Sequence, residues 1–168
     1  MRARKKRSRE SLVETLELRS LLTTFTVTSL ADNLDDDGQT TLREAMVQAG
    51  ENEGADEIVF ASGLSGVIEL NSDLGELPAI THTLTITGNG QTDTVIDGLN
   101  TATGIFEVYA GGEATLQSMG IRNGTGSGIT LWEGSPTTIR DMLITGFTTG
   151  VSGHARDCLL YTSDAADE

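Results

Sequence analysis

Two stretches of this chain superpose at a spacing of 23 residues: Thr115, Leu116, Met119, Ile121 and Thr125 fall on Thr138, Ile139, Met142, Ile144 and Thr148. A repeat of that length, with several short alternating apolar runs per period, predicts a solenoid. Each coil then buries its apolar side chains only by stacking on the next. The preceding sequence carries more runs of the same kind, at residues 57–60, 66–70, 83–87, 94–97 and 105–109, each closed within a few positions by Gly, Asn or Ser. Glycine permits the corners between faces. A sandwich of short strands is the competing architecture. Hairpin dipeptides are few, with Asn89-Gly90, Asp97-Gly98 and Asn123-Gly124 the clear ones, and the coil length is nearly constant. We therefore expect an all-β fold, a right-handed parallel β-helix.

The solenoid has a visible beginning. Residues 25–28 alternate as a strand. An acidic, glycine-closed loop at 32–38 follows. Thr41 with Glu44 three residues on is a capping box, which predicts a helix over 42–49 with Leu42, Ala45, Met46 and Ala49 as its apolar stripe. Residues 50–55 stop it. A capped helix ahead of the strand ladder reads as a short α-helical N-terminal cap. Nothing before Asp157 resembles a second cap, so the β-helix is expected to be truncated at its C-terminal end.

The 168 residues suit one domain, but charge is distributed unevenly. Of 11 basic residues, six (Arg2, Arg4, Lys5, Lys6, Arg7 and Arg9) lie in the first ten; after Arg19 only Arg43, Arg122, Arg140 and Arg156 remain, with no Lys. The body is strongly acidic, which argues against nucleic acid and anionic membranes as partners. Cations and neutral glycans fit better. No apolar run approaches the ~18 residues of a transmembrane segment.

Two resemblances sharpen this picture. Leu16-Glu17-Leu18-Arg19-Ser20-Leu21-Leu22, behind its basic cluster, resembles the N-terminal LEPR-xLL motif of large planctomycete surface proteins, with Leu18 at the proline position. Residues 12–22 also have the apolar spacing of a short amphipathic helix. Thr41-Leu42-Arg43-Glu44-Ala45-Met46 resembles the signature of the CSLREAI domain, which opens many secreted right-handed β-helix proteins with a pectin-lyase-like fold. The likeness continues through residues 54–60, 66–70, 84–90 and 95–98. Thr40 stands at that family's cysteine position, so the disulfide of some members cannot form here. The resemblance implies an extracellular or cell-surface, adhesin-like module and no shared reaction.

The expected organisation is a basic, LEPR-xLL-like targeting segment at 1–23, the N-terminal part of a parallel β-helix domain at 24–157, and a tail at 158–168. That tail breaks the strand pattern abruptly. A back-translation of it resembles the reverse complement of a transposase adapter used in sequencing libraries. We expect it to be non-native and to take no part in the solenoid, and its Cys158, the chain's one cysteine, to be artefactual.

One loop has metal-ligand spacing. Asn33, Asp35, Asp37, Gln39, Thr41 and Glu44 can be laid on a twelve-residue calcium loop, with Gly38 at its sharp turn. A solvated capping loop explains the same residues, because Glu44 serves the capping box and acidic residues ahead of a helix are favoured by its dipole. Catalytic candidates are thin. Asp93 and Asp97 lie four apart and should straddle a turn. Arg140 and Asp141 should point to opposite faces of a strand. His82 and His154 read as surface or turn histidines. Trp132-Glu133 suits either a sugar-stacking platform or an aromatic cover over the coils. No catalytic residue is assigned and no cofactor beyond calcium is implied. The expected function is a non-enzymatic extracellular or cell-surface protein with a structural, adhesive or glycan-binding role, whose partners are surface glycans or other extracellular proteins. The alternative is a carbohydrate-active enzyme, a polysaccharide lyase or glycoside hydrolase, with catalytic coils beyond Asp157.

Overall fold

The computed structural model describes residues 22–153 and the backbone of Cys158–Tyr161. The expected helix over 12–22 and His154 therefore lie outside the described residues, apart from Leu22. Alternating apolar and polar side chains dictate the strands β1 (Thr23–Val27), β2 (Asp56–Phe60), β3 (Gly66–Glu69), β4 (Thr83–Thr87), β5 (Thr94–Asp97), β6 (Phe106–Val108), β7 (Glu113–Arg122), β8 (Ser127–Leu131), β9 (Thr137–Thr145) and β10 (Thr149–Gly153); the backbone of β11 (Cys158–Tyr161) follows them. Among the described residues one helix, α1 (Leu42–Glu51), precedes β2. It runs two residues past the expected end at Ala49.

Every strand pair is parallel. Three stacks result, so the chain is an all-β parallel β-helix of about three turns. One stack runs β1-β2-β4-β7-β9-β11 and uses the first halves of β7 and β9. A second runs β3-β5 and continues through the second halves of the same two strands. The third is β6-β8-β10. The 23-residue superposition is the register itself: Thr115 pairs Thr138, Leu116 pairs Ile139, Met119 pairs Met142 and Ile121 pairs Ile144. The Thr148 hydroxyl donates to the Thr125 carbonyl 3.1 Å away, completing the match.

The core consists of like on like. Ile58, Ile86, Leu116 and Ile139 form one buried ladder. Ile68, Ile96 and Ile121 form another, with Ile144 next in register. Phe106 on Ile129 and Val108 on Leu131 form the third. Leu42, Ala45, Met46 and Ala49 of α1 join the same core cluster, so the helix closes one end of the stack as its apolar stripe predicts.

Corners are made by left-handed residues stacked on one another. Ser118 (φ 56) lies under Asp141 (φ 50), so each long strand turns from one face to the next at that position. The expectation that Arg140 and Asp141 point to opposite faces of one continuous strand is corrected by this corner. Both are exposed, and Asp141 is tied inward along the stack by Gln91 Nε2 (2.8 Å) and the Ser118 hydroxyl (2.9 Å). At Gly88 the backbone passes so close to the Ser118 carbonyl that no Cβ would fit.

The expectation that residues 158–168 stand outside the solenoid is corrected for its first part. Cys158–Tyr161 pairs in parallel with Thr137 to Arg140 of β9. The edge of β9 offers a row of backbone donors and acceptors, and such an edge templates any extended segment that reaches it.

Candidate functional site

The acidic loop and the cap helix meet in one hydrogen-bonded unit. Thr41 is the N-cap residue: its hydroxyl accepts from Glu44 N–H (3.1 Å), while Glu44 Oε2 accepts from Thr41 N–H (2.8 Å). The same hydroxyl donates to the Asn33 carbonyl (3.0 Å). Asp37 Oδ1 accepts from Gln39 N–H (2.8 Å), and Asp35 accepts from Asp37 N–H through its carbonyl (2.9 Å). All six residues with calcium-loop spacing are thus engaged in turn and cap hydrogen bonds, Asn33, Asp35 and Gln39 through their backbone. The side-chain Oδ1 of Asn33 is buried without a partner among the described residues. No three His, Cys, Asp or Glu side chains among the described residues converge where they could hold a metal ion. The capping geometry is complete without one.

Arg43, the arginine of the helix signature, is 3 % exposed. Its Nε and Nη2 grip the two carboxylate oxygens of Asp32 at 2.7 and 2.8 Å. Nη1 donates to the Glu76 carbonyl (2.6 Å) and Nη2 to the Gly75 carbonyl (2.9 Å), with the Leu74 carbonyl at 3.4 Å. Asp32 also accepts from the backbone N–H of Asn71 (2.8 Å). A planar fork of donors suits this task, and a lysine could not duplicate it. One buried pair therefore pins the cap helix to the loop between β3 and β4. No sequence spacing announced Asp32 as the partner.

A second anchored carboxylate sits at the end of β5. Asp93 and Asp97 do not straddle a turn; they bracket β5, and only Asp97 is buried. Asp97 accepts from Arg122 Nε (2.7 Å), Asn123 Nδ2 (3.0 and 3.1 Å) and Leu99 N–H (2.9 Å). Burial pushes its pKa up, but the Leu99 N–H, the Arg122 and Asn123 hydrogen bonds and the Arg122 charge outweigh burial, and the net direction is down. A depressed folded-state pKa contributes stability above the unfolded value, and that contribution is lost as pH falls through the folded value. Stability should therefore decline on acidification below the ordinary aspartate value of 3.8. Asp97→Asn should make that decline shallower and cost about 1–2 kcal/mol at neutral pH, given that Arg122 is partly solvated. Urea titrations between pH 2.5 and 7 measure both. Identical pH slopes in variant and parent would exclude Asp97 as the titrating group.

His82 sits at the bend just before β4, the turn position that was one of its two readings. Its side chain is 20 % exposed, with Nε2 3.7 Å from Asp56 Oδ2, because the start of β4 stacks on the start of β2. Asn52 Nδ2 donates to the other oxygen of Asp56 (2.6 Å) and to the Thr23 hydroxyl (3.0 Å).

Among the described residues the outer surface holds one aromatic stack. Trp132, 47 % exposed, lies on Tyr109, 38 % exposed, with ring centroids 5.2 Å apart and planes within 8°. Val108 pairs Leu131, so the two rings occupy the next position of successive coils. Their separation in sequence is the 23 residues of the coil, and that signal could have paired them beforehand. Glu107 shares the outward face of β6. Hydrogen bonding to the Glu107 carboxylate and its charge hold the Tyr109 hydroxyl above its ordinary pKa, and Glu76 adds to the effect. Both sequence readings of Trp132 fit this geometry, since the rings cover the coils and remain open to solvent.

Comparison with protein-family models, curated proteins and solved structures returns no match. Among the described residues no helix is long and apolar enough to cross a membrane. The class defined by fold and site is a helix-capped parallel β-solenoid with an aromatic stack on its outside.

Proposed function

We propose that this chain is a non-enzymatic extracellular or cell-surface β-helix protein with a structural, adhesive or glycan-binding role. Glycans or other extracellular proteins are its partners. The observation that supports this reading most is the Tyr109–Trp132 stack: two large rings held half in water on a rigid sheet face. Exposed aromatic rings supply broad apolar contact at low entropic cost and serve adhesive surfaces well. The resemblance of residues 41–46 to the CSLREAI signature points the same way, as does the nearly lysine-free acidic body. A glycan array probed with the full chain and with Trp132→Ala tests the reading. Binding to at least one glycan class, lost in the variant while the circular dichroism is unchanged, is expected. No binding to glycans or to matrix proteins at tens of micromolar would remove the proposal.

One observation favours the enzyme reading. Arg122 lines a cleft of about 330 Å³ with Gln91, Val67, Val95 and Leu143 on the outer face of the second stack. A guanidinium beside an open groove suits acidic polysaccharides. Its Nε is already committed to Asp97, which supports a structural role instead. Unsaturated products from acidic polysaccharides, followed by ultraviolet absorbance and abolished by Arg122→Ala, would establish the lyase reading over the adhesive one.

A further inference from the structure

The aromatic stack has a charged rim of a single sign. Glu107 points outward from β6 two positions before Tyr109, on the same side of the coil, and its charge and that of Glu76 both act on the Tyr109 hydroxyl. Glu133 follows Trp132 directly, and it is exposed, as is Glu76. Among the described residues no ion pair engages them. Residues 22–153 contain only three arginines and no lysine, and two of the three, Arg43 and Arg122, are paired with Asp32 and Asp97. An electron-rich ring face beside unbalanced carboxylates attracts a group that combines an apolar face with a positive charge. A neutral sugar would use the rings and leave the carboxylates idle. An acidic sugar would be repelled.

We propose that the Tyr109–Trp132 stack with Glu76 and Glu107 binds amino sugars carrying free, protonated amines. This specifies a ligand class for the glycan-binding role above and rests on that role. The apolar face of the pyranose ring meets the exposed part of Trp132, and the ammonium group meets the Glu76 and Glu107 carboxylates. Glycan is favoured over a basic peptide because the rings present a flat, rigid face, and the edge of β6 beside Tyr109 is already bridged by Ile80. Tyr109 N–H already donates to the Ile80 carbonyl and Trp132 N–H to the Val108 carbonyl, both at 2.9 Å, so the backbone there has no donor left for a peptide strand.

Trp132 is the only tryptophan in the chain, so its emission reports this site alone. The full chain is titrated with β-1,4-linked glucosamine hexamer at a pH where the amines are protonated. Parallel titrations use the N-acetylated hexamer, the neutral glucose hexamer and a lysine-rich peptide. The glucosamine hexamer should shift the emission, with binding weakened by added salt. The doubly substituted Glu76→Gln/Glu107→Gln protein should bind it on the order of tenfold more weakly, with its far-ultraviolet circular dichroism unchanged. Tyr109→Leu serves as a second variant that keeps the fluorophore and should also weaken binding. Equal affinity for the neutral and amino hexamers, insensitive to the double substitution, overturns this inference and leaves the glycan-binding role standing. Response to the peptide alone overturns it in favour of a protein partner. No response to any of the four overturns both.

Discussion

Arg43→Ala is expected to cost about 3–5 kcal/mol, because it strands a buried carboxylate. Asp32 would keep the N–H of Asn71 and lose both guanidinium contacts. The carbonyls of Gly75 and Glu76 would lose a donor in the same step. Ordinary domains are stable by only ~5–15 kcal/mol, so the loss would take a large share. Arg43→Lys should recover part of it, since one ammonium cannot reach both oxygens of Asp32 and the carbonyls together. Equilibrium urea unfolding measures the loss. Hydrogen exchange should show protection falling first in α1 and in residues 71–76, the two segments that Arg43 joins. A cost below about 1 kcal/mol would mean that water substitutes for the guanidinium and that the pair is not what holds the cap.

That arginine marks the boundary of what the sequence makes legible. Strand positions, the capping box and the register of the last two full coils follow from local pattern, because a solenoid repeats its chemistry at the spacing of its coils. Ile144 lies on Ile121 for the same reason that Trp132 lies on Tyr109. Contacts between unlike segments have no such period. Asp32 and Arg43 are close in sequence, but nothing in their spacing shows that the loop at 71–76 would close over them. His82 faced Asp56 only once β4 was stacked on β2. The corner at Asp141 was hidden for a different reason. Aspartate tolerates left-handed backbone, but it does so in few of the places where it occurs. Alternation in the sequence therefore runs straight through a position where the chain turns. The acidic loop remained ambiguous because a calcium loop and a helix cap call for the same residue types.

Ile96→Ala is expected to cost about 4 kcal/mol, in the upper part of the range for large-to-small core substitutions. The reason is the stack. Ile96 sits between Ile68 and Ile121, and all three are essentially without exposure. In a globular core, neighbouring elements can shift into a cavity and recover part of the loss. Here the rungs on either side are held by parallel backbone hydrogen bonds at a strand separation of ~4.8 Å. Neither can approach without breaking its own ladder, so the void persists and its lining loses contacts outright. The missing rung also weakens the coupling of its coil to both neighbours, on which a solenoid depends for cooperativity. Ile96→Val should cost about 1 kcal/mol. Ile144→Ala, next in the same ladder but only partly buried, should cost about half as much as Ile96→Ala or less, because part of its surface already faces water. Urea unfolding of the three variants measures these differences. If Ile96→Ala and Ile144→Ala proved equally costly, the rigid stack would not be what sets the price of a cavity, and relaxation along the solenoid axis would have to be easier than its hydrogen-bonded ladders allow.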